Sequence, residues 1–238
     1  MTKDSEMSDN KKLIIIGIGT NARHVYEFVR SYQLYDIVGF AVNEKYKDRE
    51  LFLGLPVYSL EHLEEEYGND DFVVFIALLW NKLNRDRRDL YEYCKKRGFH
   101  LTNIVSPHAI LRSPLTGENC WIHDFVIVQN NASIGSNTAI MAFCLIGADT
   151  IIGDHCFFGA KSVLGGGSVV GEQSFIGINA TVFDDTMVGK KCIVGACVAL
   201  KRNLPDFSRC VVSSDSVIVK QYVEEEIESK LQFAKNKR

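Results

Sequence analysis

A strict six-residue period dominates the second half of the chain. Between Ile122 and Leu200 every sixth residue is apolar, a small or modest side chain stands two positions earlier in nearly every repeat, and glycine dominates the next position. An α-helix repeats every 3.6 residues and an ordinary strand every two, so this period predicts a coil of short strands built from hexapeptides. The apolar positions are Ile122, Val128, Ile134, Ile140, Ile146, Ile152, Phe158, Leu164, Val170, Ile176, Val182, Val188, Val194 and Leu200.

The repeat also predicts how such a coil packs. Residues two positions apart in a strand point the same way, so the large apolar residue and the small residue before it both face inward. Three strands close one coil of about 18 residues, which gives about four and a half coils between Cys120 and Leu200. Stacked coils bury an apolar face that a single coil leaves exposed. We expect the glycine after each apolar residue to free the backbone for a corner.

Composition excludes several classes of protein. The 27 basic and 30 acidic residues nearly balance, which argues against a nucleic-acid partner. No run of apolar residues is long enough for a membrane span, and the polar start lacks a signal-peptide core. Cysteines at the small inward position, without any Cys-x-x-Cys pair, are predicted core residues rather than disulfides or metal ligands, in a reducing cytoplasm. They are Cys120, Cys144, Cys156 and Cys192.

The first hundred residues have a different pattern, in which strands alternate with helices. This alternation predicts a small parallel α/β sheet. The predicted strands cover residues 12–16, 37–42, 72–78 and 101–105, and the predicted helices cover 23–32, 59–67 and 82–96. We therefore expect a disordered tail at 1–11, a nucleotide(-sugar)-binding α/β domain at 12–105, a β-helix at 106–207, and a C-terminal extension with a helix at 208–238.

A glycine-rich turn joins the first predicted strand to the first helix. Gly17-x-Gly19-x-x-Ala22 would let a pyrophosphate approach the free amides of the helix N-terminus, as in a Rossmann-type turn. We expect a nucleotide or sugar nucleotide there, with a merely structural turn as the alternative. A dinucleotide is disfavoured because so short a domain offers one mononucleotide half. Asn43 and Glu44 follow the second strand, where a residue that contacts ribose or base would lie, or where a strand simply ends in solvent.

The order of the two domains, together with several short motifs, resembles the bacterial sugar O-/N-acyltransferases. This family contains the sialic acid O-acetyltransferases (NeuD) and the nucleotide-amino-sugar N-acetyltransferases (PglD-like enzymes). The resemblance covers most of the chain, and among the stretches that carry it are Ile16-Gly17-Ile18-Gly19-Thr20, Gly54-Leu55-Pro56-Val57, Ile152-Gly153-Asp154-His155-Cys156-Phe157 and Ile176-Gly177-Ile178-Asn179-Ala180-Thr181.

The resemblance implies a fold, a set of partners and a set of site residues. The fold is an α/β Rossmann-like half-domain followed by a left-handed parallel β-helix, assembled as a homotrimer. The co-substrate is acetyl-CoA or another acyl-CoA, and the acceptor is a UDP-, dTDP- or GDP-linked amino sugar, with no metal. By position, the implied nucleotide-side residues are Gly17, Gly19, Thr20, Asn43, Asn84 and Arg87. Gly166 would contact the pantetheine arm of CoA, and Phe157 stands at a position that the family links to acyl-CoA.

The chain departs from the family at its catalytic histidines. The family's general base falls at Ala148, and a second histidine falls at Phe157. Three residues are candidate substitutes for the base: Asp149 beside the vacant position, His155 at a corner, and His123 beside Asp124, which could orient it. Each also has a plain alternative as a solvated or structural polar residue.

Three functions remain open at this point. The first is acyl transfer to an amino group of a nucleotide-linked sugar without the usual histidine. The second is an inactive relative that binds a sugar nucleotide or acts as an assembly subunit. A nicotinamide-dependent enzyme that uses the glycine-rich turn is disfavoured by the short domain.

Overall fold

The computed structural model describes residues 11–67 and 72–212, which form an α/β domain and a coil. Five strands form the sheet of the α/β domain, in the order β3-β4-β2-β1-β5. Neighbouring strands are parallel except for the antiparallel pair of β3 and β4. The strands are β1 (Lys12–Ile16), β2 (Asp36–Val42), β3 (Leu51–Phe52), β4 (Leu55–Ser59) and β5 (Val73–Ile76). The predicted parallel sheet is confirmed for its first three strands, whereas the strand found within the predicted 101–105 segment pairs with the coil instead, and β3 and β4 were not predicted.

Three α-helices and one 3-10 helix accompany the sheet. They are α1 (Thr20–Ser31), the 3-10 helix Glu44–Tyr46, α2 (Leu63–Tyr67) and α3 (Arg85–Lys96). The helix predicted from residue 82 begins three residues later. The reason is local, because Lys82, Leu83 and Asn84 all have positive φ angles of 49°, 55° and 61°, which a right-handed helix does not allow.

The coil consists of two-residue strands, β6 to β22, separated by bends. In chain order they are Ile104–Val105, Ile110–Leu111, Trp121–Ile122, Ile127–Val128, Ser133–Ile134, Ala139–Ile140, Leu145–Ile146, Ile151–Ile152, Phe157–Phe158, Val163–Leu164, Val169–Val170, Phe175–Ile176, Thr181–Val182, Met187–Val188, Ile193–Val194, Ala199–Leu200 and Arg209–Cys210. Each pairs in parallel with a strand one turn of the coil away. The parallel β-helix predicted from the six-residue period is confirmed, and so is the left hand that the family resemblance implies.

The strands stack into three sides. The docked side contains β6, β8, β11, β14, β17, β20 and β22, the apolar side contains β7, β9, β12, β15, β18 and β21, and the short side contains β10, β13, β16 and β19. The second residue of each strand points inward and forms the core of the coil, where Ile122, Ile140 and Phe158 are fully buried. Cys120, Cys144, Cys156 and Cys192 are free and buried in this core, as predicted.

Three corners connect the sides, and we name each after one residue. The His123 corner runs from the docked to the apolar side (residues 123–125, 141–143, 159–161, 177–179 and 195–197). The Ala148 corner runs from the apolar to the short side (129–131, 147–149, 165–167 and 183–185). The His155 corner returns to the docked side (117–119, 135–137, 153–155, 171–173 and 189–191).

The expected role of the corner glycines was wrong. The positive φ angle of each bend falls two residues after the glycine, on residues such as Asn137, Asp149 and His155. Gly147 is needed for another reason. A Cβ there would lie 2.6 Å from the backbone nitrogen of Gly166 in the next coil. Glycine therefore permits close stacking of coils rather than the turn itself.

The α/β domain packs against the docked side. Phe28 of α1 and Phe75 of β5 share one buried cluster with Trp121, Ala139 and Phe157, which are the outward residues of that side. A second cluster lies on the other face of the sheet and joins it to α2 and α3. The coil therefore positions the sheet edge next to the His123 and His155 corners.

The ends of the coil differ from the expected boundaries. Strand β6 at Ile104–Val105 already pairs with β8, and β22 at Arg209–Cys210 still pairs with β20, two residues beyond the expected limit at 207. The predicted C-terminal helix and the N-terminal tail lie outside the described residues. Within the described residues, every helix is too short or too polar to cross a membrane.

Candidate functional site

The carboxyl ends of β1, β2 and β5 form the edge at which a parallel sheet binds ligands. Gly17 follows β1 with a φ of 128°, and a Cβ there would touch Ala22 and Ala77. Gly19 precedes α1, and its missing Cβ would face open space. The turn therefore leaves room in front of the first amides of α1, which begins at Thr20.

A cavity of about 510 Å³ lies beside this edge. We call it the edge cavity; it is lined by Asn43, Lys45, Tyr46, Leu78, Lys82, Asp86, Asp89, Leu90 and Tyr93. Asn43 donates from Nδ2 to Glu61 Oε1 at 3.1 Å, and the backbone amide of Glu44 donates to the same carboxylate at 2.9 Å. These bonds fix the start of the loop after β2. Lys82 is paired with Asp86 at 3.0 Å.

Asn84 and Arg87 do not line this cavity, contrary to the expectation. Each is 1% exposed, and each bridges the two domains. Asn84 Nδ2 donates to the carbonyl of His155 at 2.7 Å, and Arg87 Nη2 donates to the carbonyl of Asn119 at 2.8 Å. Burial lowers the pKa of Arg87 to about 10. Their buried atoms Asn84 Oδ1 and Arg87 Nε have no hydrogen-bond partner in the part of the chain that the structure describes.

His155 belongs to a ladder of side chains along its corner. The amide of Ile76 donates to Asn119 Oδ1 at 2.9 Å, Asn119 Nδ2 donates to Asn137 Oδ1 at 2.6 Å, and Asn137 Nδ2 lies 2.9 Å from His155 Nδ1. A backbone N–H only donates, so it orients both amides and leaves Asn137 donating to the histidine. His155 Nδ1 therefore carries no proton, and Nε2 carries it.

This arrangement argues against His155 as the general base. Its one bare nitrogen is already an acceptor within a buried ladder, and its side chain is 8% exposed. Burial lowers the pKa of His155. Its Nε2 lies 3.8 Å from Glu92, too far for a hydrogen bond. The residue is better explained as part of the domain interface.

His123 has the same tautomer for a different reason. The backbone amide of Asp124 donates to His123 Nδ1 at 2.9 Å, so the proton of the neutral ring is on Nε2. That Nε2–H has no hydrogen-bond partner among the described residues. Burial lowers the pKa of His123, and the nearby Asp124 carboxylate raises it less. Tyr32 and Ser106 both donate to that carboxylate. His123 is therefore disfavoured as a general base, whereas its Nε2–H is available as a hydrogen-bond donor.

An apolar pocket of about 360 Å³ surrounds His123. We call it the His123 pocket; its lining consists of Trp80, His123, Met141, Ala142, Phe157, Gly159, Ala160, Phe175 and Ile178. Phe157 stacks on Phe175 at a centroid distance of 5.2 Å, and Trp80 meets Phe157 edge-on at 4.8 Å. The structure thus joins two predicted site residues, His123 and Phe157, in one pocket between the domains.

The Ala148 corner holds the remaining predicted residues. Asp149 is exposed and accepts from Asn131 Nδ2 at 3.0 Å. Gly166 stacks directly on Ala148, and its amide donates to Asp184 Oδ1 at 2.8 Å. This corner joins the apolar and short sides, so it is the one corner that does not border the docked side. Within one chain it is therefore separated from the α/β domain and from the His123 pocket.

The main residues that sequence reasoning missed are Trp80, Met141 and Phe175. Phe175 occupies an outward strand position and Met141 a corner position of the hexad, where a large apolar side chain lies outside the core of the coil. That was the available signal. The sequence gives no such signal for Trp80, because its contacts depend on where the loop after β5 lies in the folded chain. Over residues 11–67 and 72–212, no cluster of three or more His, Cys, Asp or Glu side chains could hold a metal ion.

Two family models match the coil. Residues 131–166 match the bacterial transferase hexapeptide, and residues 167–202 match the hexapeptide repeat of succinyl-transferase. The coil is therefore similar in sequence to the repeats of hexapeptide transferases. A search of curated proteins gave no match.

Solved structures share the two-domain fold. A single-substitution mutant of the perosamine N-acetyltransferase from Caulobacter crescentus, solved with CoA and GDP-perosamine, is 28% identical, with a TM-score of 0.72 over 83% of this chain and 92% of that one. The acetyltransferase domain of PglB from Neisseria gonorrhoeae is 23% identical, with a TM-score of 0.73 over 84% and 96%. WeeI from Acinetobacter baumannii is 20% identical, with a TM-score of 0.72 over 84% and 96%. The last two show the fold alone.

Proposed function

We propose that the protein transfers an acyl group from acyl-CoA to an amino group of a nucleotide-linked sugar. The observation that carries this proposal is a shared loop. Residues 77–84 follow β5 and contribute Leu78 and Lys82 to the edge cavity and Trp80 to the His123 pocket. Three consecutive residues with positive φ shape this loop, and strain of that kind clusters at functional sites. One cavity suits a polar acceptor and the other an apolar donor group.

The acceptor side is assigned to the sheet edge. The open space before α1 suits a diphosphate, since helix N-termini bind anions. The edge cavity offers Asn43 and Tyr46 beside the end of β2, where the nucleoside of a bound nucleotide would lie. In support, the 28%-identical perosamine N-acetyltransferase was solved with a GDP-sugar.

The proposed reaction needs a neutral amine. Its nitrogen attacks the thioester carbonyl, the C–S bond breaks, and the amide and CoA thiol form as the amine proton passes through water to the thiolate. A positioned base typically contributes about 10²–10⁴-fold, and neither buried histidine offers a bare nitrogen for that work. Bringing the two substrates together supplies a large acceleration by itself, with effective molarities that reach about 10⁵ M or more.

His123 is assigned the role of a hydrogen-bond donor. His123 lines the His123 pocket, and its Nε2–H is the kind of group that stabilises negative charge on a carbonyl oxygen during acyl transfer. Burial lowers the pKa of His123, which keeps the ring neutral. Phe157, at the second histidine position of the family, would form the apolar wall beside it.

The proposal includes a homotrimer. Ala148 and Gly166 lie on the corner that does not border the α/β domain, so a neighbouring copy must supply them if they contribute to the site. The apolar side presents Ile110, Ile127 and Leu145 outward, and Phe125 and Phe143 stack at 4.9 Å while remaining half-exposed. Such a surface suits burial against a second copy. The cytoplasmic location stays a prediction.

The test is release of CoA. The purified protein, acetyl-CoA and a panel of UDP-, dTDP- and GDP-linked amino sugars should give free thiol and an amide product detectable by mass spectrometry. Absence of thiol release with the whole panel, in a protein that remains folded, would contradict the proposed activity.

The alternative is an inactive relative that only binds a sugar nucleotide or assembles with a partner. Alanine at position 148 and phenylalanine at 157 favour it, because both family histidines are absent. Ala148→His discriminates between the two functions. Activity that appears only in this variant would support the inactive relative, whereas readily measured turnover by the unmodified protein would exclude it.

A further inference from the structure

We propose that the His123 pocket binds the acyl chain of the donor thioester and that this chain is longer than acetyl. This inference rests on the proposed function and specifies its donor. Pockets that hold whole small ligands span about 300–1,000 Å³, and this one measures about 360 Å³. A two-carbon acetyl group would leave most of that volume empty.

The chemistry of the walls favours an aliphatic chain with one carbonyl. Apart from His123, the lining is formed by aromatic, aliphatic and glycine residues. The side-chain N–H groups among the lining residues are those of His123 and Trp80, and the other ring nitrogen of His123 accepts from the amide of Asp124. A thioester supplies the matching group, since its carbonyl oxygen accepts one hydrogen bond and the rest of the chain needs none.

Other occupants leave polar groups unpaired. A nucleobase would stack on Phe157 or Phe175, but the side chains of His123 and Trp80 offer N–H donors and no acceptor for its amine groups. An apolar side chain from a second copy would bury the His123 donor without an acceptor, which costs free energy. The acyl thioester satisfies both the apolar walls and the donor.

The position of the pocket agrees with this assignment. Trp80 contributes one wall, and residues of the same loop line the edge cavity, so the chain would enter beside the proposed acceptor site. Phe28 and Trp121 pack against the His123 ring at 4.7 and 5.5 Å and hold it in place.

The experiment measures binding, so it does not depend on the identity of the acceptor. CoA and its acetyl, butyryl, hexanoyl and octanoyl thioesters are titrated calorimetrically into the full chain without any sugar nucleotide. We expect the dissociation constant to fall about fourfold for each added methylene, which is about 0.8 kcal/mol, until the chain fills the pocket. Equal affinity for the acetyl and hexanoyl thioesters, or no binding of any thioester, would overturn the proposal.

Two variants fill the pocket, and a matched one does not. Ala160→Phe places a ring inside the pocket and should abolish the dependence of the dissociation constant on acyl-chain length. Ala196→Phe makes the same change at the corresponding slot of the same corner, outside the pocket, and should retain it. If Ala160→Phe does not fold, Ile178→Trp at the exposed rim serves the same purpose.

The outcomes separate this inference from the proposed function. A chain-length dependence that survives in Ala160→Phe, or in Ile178→Trp if that variant is used, would overturn the acyl pocket. The acyl pocket would also be overturned if the unmodified protein showed no dependence on chain length and Ala160→Phe lost self-association, because the pocket would then bind a second copy of the chain. Failure of CoA release with every amino sugar contradicts the enzyme activity but leaves the binding result to decide the pocket.

Discussion

The His155 and His123 corners hold two histidines with the same tautomer and different surroundings. In each, a donor occupies Nδ1 and the proton of the neutral ring is on Nε2. His155 is enclosed by the Asn137 ladder and the ring of Tyr91, and its side chain is 8% exposed. His123 is 28% exposed and borders a pocket. The same ring chemistry therefore stabilises the domain interface at one corner and leaves a free donor at the other.

The comparison also bears on which residue could act as a general base in a chain with alanine at position 148. A histidine is useful as a base only when one ring nitrogen is bare and faces the substrate. His155 Nδ1 is occupied by the side-chain amide of Asn137 and His123 Nδ1 by the backbone amide of Asp124, so both of these candidate substitutes lose support. Asp149 is exposed on the far corner and remains a prediction.

The largest expected effect is on catalysis at the His123 corner. His123→Phe keeps a ring against Phe28 and Trp121 but removes the Nε2 donor. We expect kcat and kcat/KM to fall together by about 10²–10³-fold, as when an oxyanion donor is removed. Steady-state kinetics with acyl-CoA in excess measure this.

His108→Phe is the matched control for that substitution. His108 stacks on Phe125 at the same corner but lies outside both cavities, so its rates should stay within about twofold of the unmodified protein. Unchanged kcat in His123→Phe would contradict the donor role of His123. It would also contradict the functional difference between the His123 and His155 corners.

The next effect is on stability at the His155 corner. His155→Leu leaves Asn137 Nδ2 without an acceptor in a fully buried position. We expect the free energy of unfolding to fall by about 1–3 kcal/mol, measured by denaturant titration. His155→Asn is the control, since asparagine accepts a hydrogen bond, tolerates positive φ and occupies the equivalent positions 119 and 137. Equal losses of unfolding free energy in both variants would contradict the hydrogen bond from Asn137 to His155.

The smallest effect is a pH dependence of stability. Burial holds the pKa of both His123 and His155 below the unfolded value of about 6.5. The unfolded chain therefore binds more protons below that pH, and the free energy of unfolding should decrease as pH falls below about 6.5 and level off above it. Denaturant titrations between pH 5 and 8 measure the slope, which His155→Asn should reduce. A stability that rises on acidification would contradict the buried neutral histidines.

Much of the fold was predictable because each position of the hexad has one structural role. The period fixed which residues face inward, so the core from Ile122 to Leu200 needed no further information. Strand β1 and the glycine turn after it were equally readable, since Gly17 and Gly19 precede a helix. The pair β3–β4 was missed because its strands are short and one contains Pro56, which weakens the strand pattern.

The site was less predictable because it depends on contacts between distant segments. Position alone placed Asn84 and Arg87 beside the nucleotide, but the domain docking buries them against the His155 corner. The tautomer of His123 depends on the backbone amide of Asp124, and that of His155 on the side-chain amide of Asn137. Trp80 reaches Phe157 only after the loop from β5 has folded onto the docked side.

The most direct test of the central claim is the protonation of the two imidazoles. Long-range proton–nitrogen correlation spectra distinguish a bare ring nitrogen from a protonated one, and His123→Gln and His155→Asn assign the signals. At pH 7.5 both rings should be neutral with the proton on Nε2 and a bare Nδ1. A proton on Nδ1 of His123 would leave Nε2 bare beside the pocket, make it a general base, and contradict the donor role.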